Sequence, residues 1–385
     1  MRILFFNYEY PPLGGGAANA TLCILKEFSK ISDLKVDLIT SSVSEKYYTE
    51  KIGENITVHK IPIGKNSANL HFQSQKDLIV YSWKALFFAN KLMKENKYDL
   101  THSFFTVPCG ALSFWFKITK KIPYIISLRG SDVPGYSERF KVAYAILKPL
   151  IRLIWKKSGA VISNSQGLKE LALKTDKSQK IDIIFNGVDI NEFHPDESLR
   201  SKDKFIITIG ATRITARKGI NYLIEALSIL VPRYPDIFLH ILGDGNEKDN
   251  LIALAQKINL GDHIQFLGRI PREKTMPYYQ EASLFVLPSL NEGMSNAMLE
   301  ALASGLPILA TETGGTEELV KNGENGYIVK MKDAEDLAQK IEIILKDEEL
   351  RDRMGLASRQ KAQEMSWENV AQKYYDLYRQ VADEK

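Results

Sequence analysis

Short apolar runs rich in Val, Ile and Phe alternate with amphipathic helical stretches along most of this 385-residue chain. The runs include RILFFNY, KVDLIT, YIISLR, AVISNS and IDIIFNG in the first half, and FIITIG, IFLHILG, HIQFLG, SLFVLP and LPILATE in the second. Strands separated by helices pair in parallel through βαβ crossovers, and parallel strands read as continuous apolar runs because both of their faces are buried. The alternation therefore predicts doubly wound α/β sheets covered by helices on both faces.

The alternation stops once, at the polar stretch HPDESLRSKDK between residues 194 and 204. A single hydrophobic core seldom serves more than about 250–300 residues, so the length also favours two domains. We predict doubly wound domains over residues 1–195 and 200–365. Residues 366–385 are predicted to form a helix whose apolar side packs back toward the first domain, because its apolar residues have helical spacing. These are Trp367, Val370, Tyr374 and Leu377.

Composition narrows the class of protein. The chain is 44% hydrophobic and 25% charged, as in globular proteins, and no apolar run approaches the ~18 residues of a membrane span. The first apolar run ends at Pro11 and has no cleavage site, so no signal peptide is expected. Two cysteines, Cys23 and Cys109, do not make a disulfide framework. We expect a cytoplasmic protein.

Charge divides unevenly between the two halves. Residues 1–195 contain 27 Lys and Arg against 17 Asp and Glu, a net of +10, whereas the remainder has a net of −6. Residues 139–157 contain six Lys and Arg, no acid and many apolar side chains. This pattern predicts peripheral contact with an anionic membrane, on the inner face of the cytoplasmic membrane; the alternative is a buried helix with a basic edge. No nucleic-acid recognition motif is present, so a nucleic-acid partner is not expected.

Open α/β sheets bind ligands beyond the carboxyl ends of their strands, where several loops of this sequence are unusual. Gly15 and Gly16 precede the first helix, where backbone N–H groups can approach an anion, although a flexible turn fits equally well. Neither domain has the dinucleotide fingerprint, which argues against an NAD enzyme. Arg213 and Lys218 follow FIITIG and could clamp a diphosphate or simply form a solvated basic turn.

The stretch NEGMSNAMLEALASG places Glu292 before a predicted helix and Glu300 two turns inside it. Ser295 or Asn296 can cap the helix, whose free N–H groups favour a phosphate. Glu292 could accept hydrogen bonds from sugar hydroxyls. Glu300, ~12 Å along the helix, could reach another part of a long ligand or form an ion pair at the edge of the core.

His102 and Arg129 end two further strands of the first domain. A lone histidine commonly has a structural, hydrogen-bonding role, but the position of His102 at the end of a strand favours a catalytic role. Arg129 lies in LRGSDVPGY, where its guanidinium can bind an anion.

Taken together, these loops resemble those of the retaining glycosyltransferases of the GT4 family. Glu292 and Glu300 match the family's E-x7-E motif, and NGVDINEFHP, GATRITARKG, LGDGNE, FLGRI and TGGTEELV match other family segments in order. The resemblance extends from the Gly-rich loop to about residue 365. It implies the GT-B fold, which has two Rossmann-like domains, a donor cleft between them and a C-terminal helical tail.

The resemblance implies a nucleotide-sugar donor, UDP- or GDP-linked, on the second domain and the acceptor on the first. Arg213 and Lys218 would hold the diphosphate, Glu292 the transferring sugar and Glu300 the ribose. Gly15 and Gly16 would close on the donor from the first domain, and Gly293, Met294 and Ser295 would lend backbone amides beside Glu292. Asn186 and Arg269 are further candidates for substrate binding. One departure is Arg129, where many members have a histidine; arginine cannot act as a base, and His102 is the remaining candidate for a catalytic histidine.

The implied reaction retains the configuration of the sugar, by front-face attack or, less favoured, through a covalent intermediate on Glu292. Two cations and a helix N-terminus can stabilise the leaving diphosphate electrostatically. The sequence has no D-x-D triplet and no Cys/His cluster, so we expect neither a metal ion nor another cofactor. The expected acceptor is an envelope glycan or a lipid-linked molecule. Alternatives are another GT-B enzyme, such as an epimerase or a sucrose- or glycogen-type synthase, and a non-catalytic nucleotide-sugar-binding protein.

Overall fold

The computed structural model describes residues 1–65, 70, 73–136, 141–292 and 294–383. It divides into two compact units, Met1–Asn186 with Trp367–Lys385, and Gly187–Ser366.

The first unit contains an eight-stranded sheet in the order β3-β4-β2-β1-β5-β6-β7-β8. Its strands are β1 (Arg2–Phe6), β2 (Lys35–Ser42), β3 (Tyr48–Ile52), β4 (Ile56–Pro62), β5 (Leu100–Phe104), β6 (Tyr124–Ser127), β7 (Ala160–Ser163) and β8 (Asp182–Ile183). Among the described strands of this sheet, β3 at the edge is the one that runs antiparallel to its neighbour. Three residues connect β3 to β4, which is too short for a parallel crossover.

The second unit contains a parallel six-stranded sheet in the order β11-β10-β9-β12-β13-β14. Its strands are β9 (Phe205–Arg213), β10 (Ile237–Asp244), β11 (Ile264–Gly268), β12 (Leu284–Leu287), β13 (Ile308–Thr311) and β14 (Gly326–Val329). The runs FIITIG and SLFVLP form adjacent central strands whose apolar side chains are almost entirely buried. The predicted two-sheet α/β fold is confirmed.

Helices connect the strands in both units. In the first unit they are α1 (Gly16–Phe28), α2 (Gln75–Glu95), α3 (Ala111–Lys120), α4 (Lys141–Lys157) and α5 (Gln166–Leu173). In the second they are α6 (Ile220–Leu230), α7 (Lys248–Lys257), α8 (Met276–Glu281), α9 (Asn296–Ala303), α10 (Thr316–Leu319), α11 (Ala334–Lys346) and α12 (Glu348–Glu364). The chain ends with α13 (Trp367–Asp383), which belongs to the first unit.

Along the chain, the first unit is left after Asn186, nine residues before the predicted domain boundary at residue 195. The intervening segment is held by the second unit. The Arg359 guanidinium donates hydrogen bonds to the carbonyls of Ile190 and Phe193, at 2.9 and 2.8 Å. The ring of Phe193 also packs edge-on against Tyr279, with centroids 5.8 Å apart. The polar stretch that follows is therefore not where the first unit ends.

The apolar side of α13 belongs to the core of the first unit. Trp367, Val370, Tyr374 and Tyr378 are all buried there. Tyr378 packs on Phe28 of α1 at 5.6 Å between ring centroids. The helix is amphipathic because these residues recur every three or four positions.

Replacing Tyr378 with Ala is expected to lower the free energy of unfolding by ~3–5 kcal/mol, since a fully buried aromatic side chain is lost. Urea unfolding followed by circular dichroism measures this. Lys373→Ala, on the exposed side of the same helix, should change stability by no more than ~0.5 kcal/mol. Equal stability of the two variants would show that α13 is not part of the core.

Candidate functional site

The strand order of the second sheet reverses between β9 and β12. From β9 the chain proceeds to β10 and β11 on one side, and from β12 to β13 and β14 on the other. Loops that leave the carboxyl ends of β9 and β12 therefore diverge, and doubly wound sheets bind ligands at such a point. The loop after β9 carries Lys218, and the loop after β12 carries Glu292.

Lys218 and Glu292 form an ion pair at this point. The Lys218 ammonium donates to Oε1 of Glu292, and the Ser289 hydroxyl donates to the same oxygen at 3.3 Å. The side chains of Lys218 and Glu292 are 17% and 19% exposed, so both are partly withdrawn from water and still accessible. The sequence assigned these residues to a diphosphate and a sugar separately; the structure places the two groups in direct contact.

Backbone contacts hold the two loops together. The N–H of Leu290 donates to the carbonyl of Arg217 at 2.7 Å. Gly219 has φ +62°, and a Cβ at this position would lie 2.1 Å from the carbonyl oxygen of Pro288. Only glycine permits both the left-handed backbone and this close approach. The position of Lys218 beside Glu292 therefore depends on the next residue in the chain.

Helix α9 begins immediately after the loop that carries Glu292. The Ser295 hydroxyl caps the helix by accepting the N–H of Met298 at 3.4 Å, as one of the two predicted caps. Met294 and Ser295 are buried, each 8% exposed. Gly293 lies outside the described residues. The N-terminus of α9 thus follows the ion pair directly, and its dipole favours an anion there.

Glu300 lies on the second turn of α9 and is 9% exposed. Its Oε1 accepts from Nε of Arg272 at 3.0 Å, and its Oε2 accepts from the hydroxyl of Tyr279 at 3.1 Å. Arg272 also donates to Glu192 at 2.6 Å. Burial raises the pKa of Glu300, while Arg272 and Tyr279 oppose the rise. This contact is the ion pair at the edge of the core, one of the two interpretations of Glu300 that the sequence allowed. Each carboxylate oxygen still has a second lone pair that can accept a hydrogen bond from a hydroxyl.

Sequence reasoning missed Arg272, Tyr279 and Glu192 around Glu300. Tyr279 fits because Gly210 on β9 has no side chain: a Cβ there would lie 2.7 Å from the Tyr279 hydroxyl. The glycine in FIITIG was a signal for close approach, but nothing in the sequence indicated which side chain approaches it.

The two other cations predicted in this unit are exposed. Arg213 ends β9 and lies in register with Asp244 of β10. Arg269 follows β11, which is the edge strand on that side of the sheet. Arg213 therefore starts the loop that contains Lys218, whereas Arg269 leaves the sheet two strands further along.

In the first unit, Gly15 and Gly16 are exposed at the start of α1. The Gly15 N–H donates to a carboxylate oxygen of Glu9 at 3.5 Å, and a Cβ on Gly14 would lie 2.7 Å from the Glu9 side chain. The predicted anion-binding turn is thus built around an acid that sequence reasoning did not single out. The Glu9 carboxylate therefore accepts the Gly15 N–H that the sequence made available to an anion.

His102 lies in the core of the first unit and is 0% exposed. Its Nδ1 is paired with the hydroxyl of Tyr378 at 2.7 Å and its Nε2 with the hydroxyl of Ser127 at 2.9 Å. Burial lowers its pKa well below the ordinary 6.5. The expected catalytic role does not fit this placement, because neither ring nitrogen faces solvent; the structural role named as its alternative does.

Arg129 lies part-buried after β6, with its guanidinium carbon 3.5 Å from the centroid of the Phe104 ring. It donates to the side-chain oxygen of Asn186 at 2.9 Å and to the hydroxyl of Tyr374 at 3.1 Å. Asn186 is itself 5% exposed. The structure thus brings two of the predicted residues, Arg129 and Asn186, into one hydrogen-bonded group with α13.

Across the described ranges, no group of three or more His, Cys, Asp or Glu is arranged to hold a metal ion.

Two protein families match the sequence. Residues 14–192 match the family described as Glycosyltransferase Family 4, and residues 189–361 match Glycosyl transferases group 1. An uncharacterized glycosyltransferase of Methanocaldococcus jannaschii is 25% identical over 383 residues, which cover 100% of this chain and 99% of the relative. The lipopolysaccharide core biosynthesis glycosyltransferase LpsE of Rhizobium meliloti is 30% identical over 230 residues, covering 59% of this chain and 66% of LpsE.

Solved structures share the fold over the whole chain. Sucrose-phosphate synthase from Thermosynechococcus elongatus has a TM-score of 0.82 at 22% identity, with 100% of both chains covered. HepE of Anabaena, in complex with UDP and glucose, has a TM-score of 0.74 at 20% identity, covering 99% of this chain and 100% of HepE.

Acidification should destabilise the protein through His102. An unfolded histidine binds a proton near pH 6.5, whereas the folded His102 does not, so its contribution is fully present above pH 6.5 and is lost as the pH falls. From pH 7 to pH 5 this loss is at most about 2 kcal/mol, the value for a histidine that stays neutral in the folded protein over this whole range. Urea unfolding at both pH values should show a smaller drop in stability for His102→Gln than for the unchanged protein. The same drop in both proteins would mean that His102 is protonated in the folded state.

Replacing Gly219 with Ala should destabilise the second unit by more than the cost of the strained backbone alone, because the new Cβ would also clash with the Pro288 carbonyl oxygen. Gly323→Ala is the matched control, because Gly323 also has a positive φ, +77°, but open space around its Cβ position. We expect about 1 kcal/mol for the control and at least ~2–3 kcal/mol for Gly219→Ala, measured by urea unfolding. Equal losses would show that the Pro288 carbonyl moves freely and that the two loops are not held together.

Proposed function

The chain belongs to the GT4-type glycosyltransferases of the GT-B fold, and from this premise we propose that it transfers a sugar from a nucleoside diphosphate sugar with retention of configuration and without a metal ion. The observation that carries the proposal is the contact between Lys218 and Glu292 at the point where the order of the second sheet reverses. A cation and an acid side by side match the two adjoining parts of such a donor, a diphosphate and a sugar rich in hydroxyl groups.

The chemical obstacle is the negative charge that develops on the leaving diphosphate. Lys218 supplies a cation that is 17% exposed, in surroundings where a charge contact is stronger than in bulk water. Arg213 begins the same loop and adds a second cation with two parallel donors. The N-terminus of α9 adds oriented backbone N–H groups. These three elements do for the leaving group what a divalent ion does elsewhere, which supports a reaction without metal.

Glu292 has a role on the sugar side of the phosphate. A diphosphate bound at Lys218 shares or replaces the contact with Glu292, so that the carboxylate can accept hydrogen bonds from sugar hydroxyls. Ser289 keeps the carboxylate oriented while this happens, because its hydroxyl bonds the same oxygen as Lys218 does. The hydrogen bond that Ser289 keeps to this carboxylate makes Glu292 a weaker nucleophile, which favours front-face attack over a covalent intermediate on Glu292.

Glu300 is proposed to bind the ribose hydroxyls through its remaining lone pairs. Arg272 and Tyr279 fix both carboxylate oxygens, so the group is oriented before the donor arrives. Met294, Ser295 and Gly293 are proposed to contact the donor with backbone amides, and Arg269 to contact the nucleotide. A UDP-linked donor is supported by the HepE complex with UDP, and a GDP-linked donor is the other candidate.

The first unit is proposed to bind the acceptor. Arg129 after β6 and Asn186 after β8 offer a hydrogen-bonded polar pair. Gly15 and Gly16, whose backbone is exposed at the start of α1, are instead proposed to contact the donor. Arg129 would bind substrate rather than transfer a proton. A relative named for lipopolysaccharide core biosynthesis in Rhizobium meliloti, and one in Bacillus subtilis whose name gives teichuronic acid biosynthesis as a putative role, support an envelope glycan as the acceptor. We further propose that a lipid-linked acceptor would be reached at the inner face of the cytoplasmic membrane.

A thermal-shift screen of UDP- and GDP-sugars tests the proposal. A ligand that binds only the folded protein adds RT ln(1 + [L]/Kd) to its stability, about 2.7 kcal/mol at 100 times Kd. The true donor should therefore raise the melting temperature of the protein more than the other nucleotide sugars do. The protein should then hydrolyse this donor slowly. Stabilisation without any turnover would indicate a nucleotide-sugar-binding protein instead, and no stabilisation by any nucleotide sugar would contradict the proposal.

Substituting Lys218 or Arg213 with Ala should lower the rate of sugar transfer at least ~100-fold, the scale of losing one charge contact in a transition state. The rate is measured as release of nucleoside diphosphate. Lys257→Ala, an exposed lysine at the end of α7, is the control and should be near normal. Near-normal rates in both loop variants would contradict the assignment of the donor site to this loop.

Transfer should survive metal removal. With 5–10 mM EDTA, roughly a thousandfold excess over the enzyme, we expect a rate within about twofold of that with added Mg²⁺ or Mn²⁺, because Lys218 and the N-terminus of α9 provide the positive charge. Loss of turnover in EDTA and its recovery with Mg²⁺ would contradict this part of the proposal.

A further inference from the structure

Exposed apolar side chains concentrate on three consecutive helices of the first unit. Among the described residues, fifteen large apolar side chains are exposed, and eight of them lie on α2, α3 and α4. Five are distributed over the whole second unit. Single exposed apolar residues are ordinary on a protein surface, whereas a concentration of this kind marks an interaction site.

The three helices cover the same face of the first sheet. They connect β4 to β5, β5 to β6 and β6 to β7, and all three connections run in the same direction across the strand order. Right-handed crossovers in the same direction place their helices on the same face. The connection from β1 to β2 runs the opposite way, so α1 lies on the other face, where α13 packs against it.

On α2 the exposed residues form a continuous stripe. Ile79, Trp83 and Phe87 are 60%, 60% and 67% exposed and are spaced four residues apart. The rings of Trp83 and Phe87 stack on each other in solvent, with centroids 6.0 Å apart. The buried positions Tyr81 and Ala85 are half a turn away, so the stripe points directly away from the sheet.

Helices α3 and α4 continue this surface. Trp115 and Ile118, three residues apart on α3, are 51% and 53% exposed. On α4, Ile146 is 75% exposed, and Leu150 and Leu153 follow at helical spacing. Half of the chain's four tryptophans, Trp83 and Trp115, thus lie more than half exposed on this face.

The same helices are strongly basic. Together α2, α3 and α4 contain 11 Lys and Arg but only 2 Asp and Glu. On α2, Lys76 precedes the apolar stripe, and Lys91 and Lys94 extend it. On α4, Lys156 and Lys157 are exposed after the apolar positions. Aromatic and aliphatic residues flanked by lysines are the composition of helices that lie in a membrane interface.

We propose that the outer surface of α2, α3 and α4 docks on an anionic bilayer, with Trp83, Phe87 and Trp115 inserted at the level of the headgroups. The lysines then face anionic phosphates, and the helices lie parallel to the membrane. No helix in the described part of the chain is long and apolar enough to cross a membrane.

Charge selects the bilayer over a second copy of this chain. A symmetric dimer through this face would set two copies of these helices, each set with a net charge of +9, against each other. An anionic bilayer matches the charge and receives the apolar side chains as well. Docking itself is independent of catalysis; that it brings the protein to a lipid-linked acceptor rests on the proposed function.

Co-sedimentation with vesicles tests the docking surface. The full chain should sediment with vesicles containing 30% phosphatidylglycerol and much less with pure phosphatidylcholine, about tenfold or more in partition coefficient. The combined variant Trp83→Ser, Phe87→Ser, Trp115→Ser should bind at least about tenfold more weakly, because binding scales with inserted apolar area. Replacing Lys91, Lys94, Lys156 and Lys157 with Gln should abolish the preference for the anionic lipid.

The matched control is Leu199→Ser, Met331→Ser, Leu356→Ser, which removes three exposed apolar residues of the second unit. It should bind vesicles as the unchanged protein does. Thermal unfolding and donor hydrolysis should be unchanged in both triple variants, which separates lost docking from lost folding and from a failure of the proposed reaction. Equal vesicle binding by the two triple variants would overturn the proposal.

Tryptophan emission supplies an independent readout. Trp83 and Trp115 should shift to shorter wavelength on adding anionic vesicles, whereas Trp83→Phe, Trp115→Phe leaves only the buried Trp155 and Trp367 and should show no shift. No shift in the unchanged protein would contradict insertion. Sedimentation equilibrium showing a dimer that the Trp83→Ser triple variant dissociates would assign the surface to a second copy instead.

Discussion

The ion pair between Lys218 and Glu292 joins the two loops that diverge from the centre of the second sheet. Its members are 74 residues apart in the chain and meet only because β9 and β12 are neighbours. The pairing in turn depends on Gly219, which lets the first loop pass within reach of the Pro288 carbonyl. The chemistry proposed for this glycosyltransferase therefore rests on one topological feature of the sheet and one residue without a side chain.

The three charged groups of this region, Glu300, Glu292 and Lys218, differ in how firmly their side chains are held before a ligand binds. Glu300 is buried and has both oxygens fixed by Arg272 and Tyr279, so it is suited to recognise a group that does not move during the reaction. Glu292 and Lys218 are more accessible and hold each other, so an incoming phosphate can exchange for one of them. The roles proposed for them, a fixed contact to the ribose and an exchangeable contact beside the reacting bond, agree with a transferase that must release its leaving group.

In the first unit, the polar groups Arg129 and His102 are held by hydrogen bonds from the C-terminal helix α13. Tyr374 and Tyr378 of α13 bond Arg129 and His102, which lie at and within neighbouring strands. The C-terminal helix thus fixes Arg129 from one side while Asn186 fixes it from another. Residues 245 positions apart determine where this guanidinium lies. Its orientation is a property of the folded unit rather than of the loop that carries it.

The sequence predicted most of the strands, the two sheets and the family, because apolar runs and short motifs can be read directly along the chain. The antiparallel β3 was outside the predicted parallel pattern, and the first unit ends at Asn186 because Arg359 and Tyr279, distant in sequence, hold the next segment. At the site, spacing predicted Glu292, Glu300 and Lys218 but not which groups contact them. Arg272 and Glu9 carry no distinguishing local pattern, and burial of His102 is decided by α13, 276 residues away from it.

The most direct test of the central claim compares nucleoside diphosphates with monophosphates by isothermal titration calorimetry, using UDP, UMP, GDP and GMP on the unchanged protein and on Lys218→Ala. If Lys218 binds the phosphate that leaves, the unchanged protein should prefer the diphosphate of its base at least about tenfold, and the variant should lose most of that preference while binding the monophosphate almost normally. An equal preference for the diphosphate in both proteins would contradict the account.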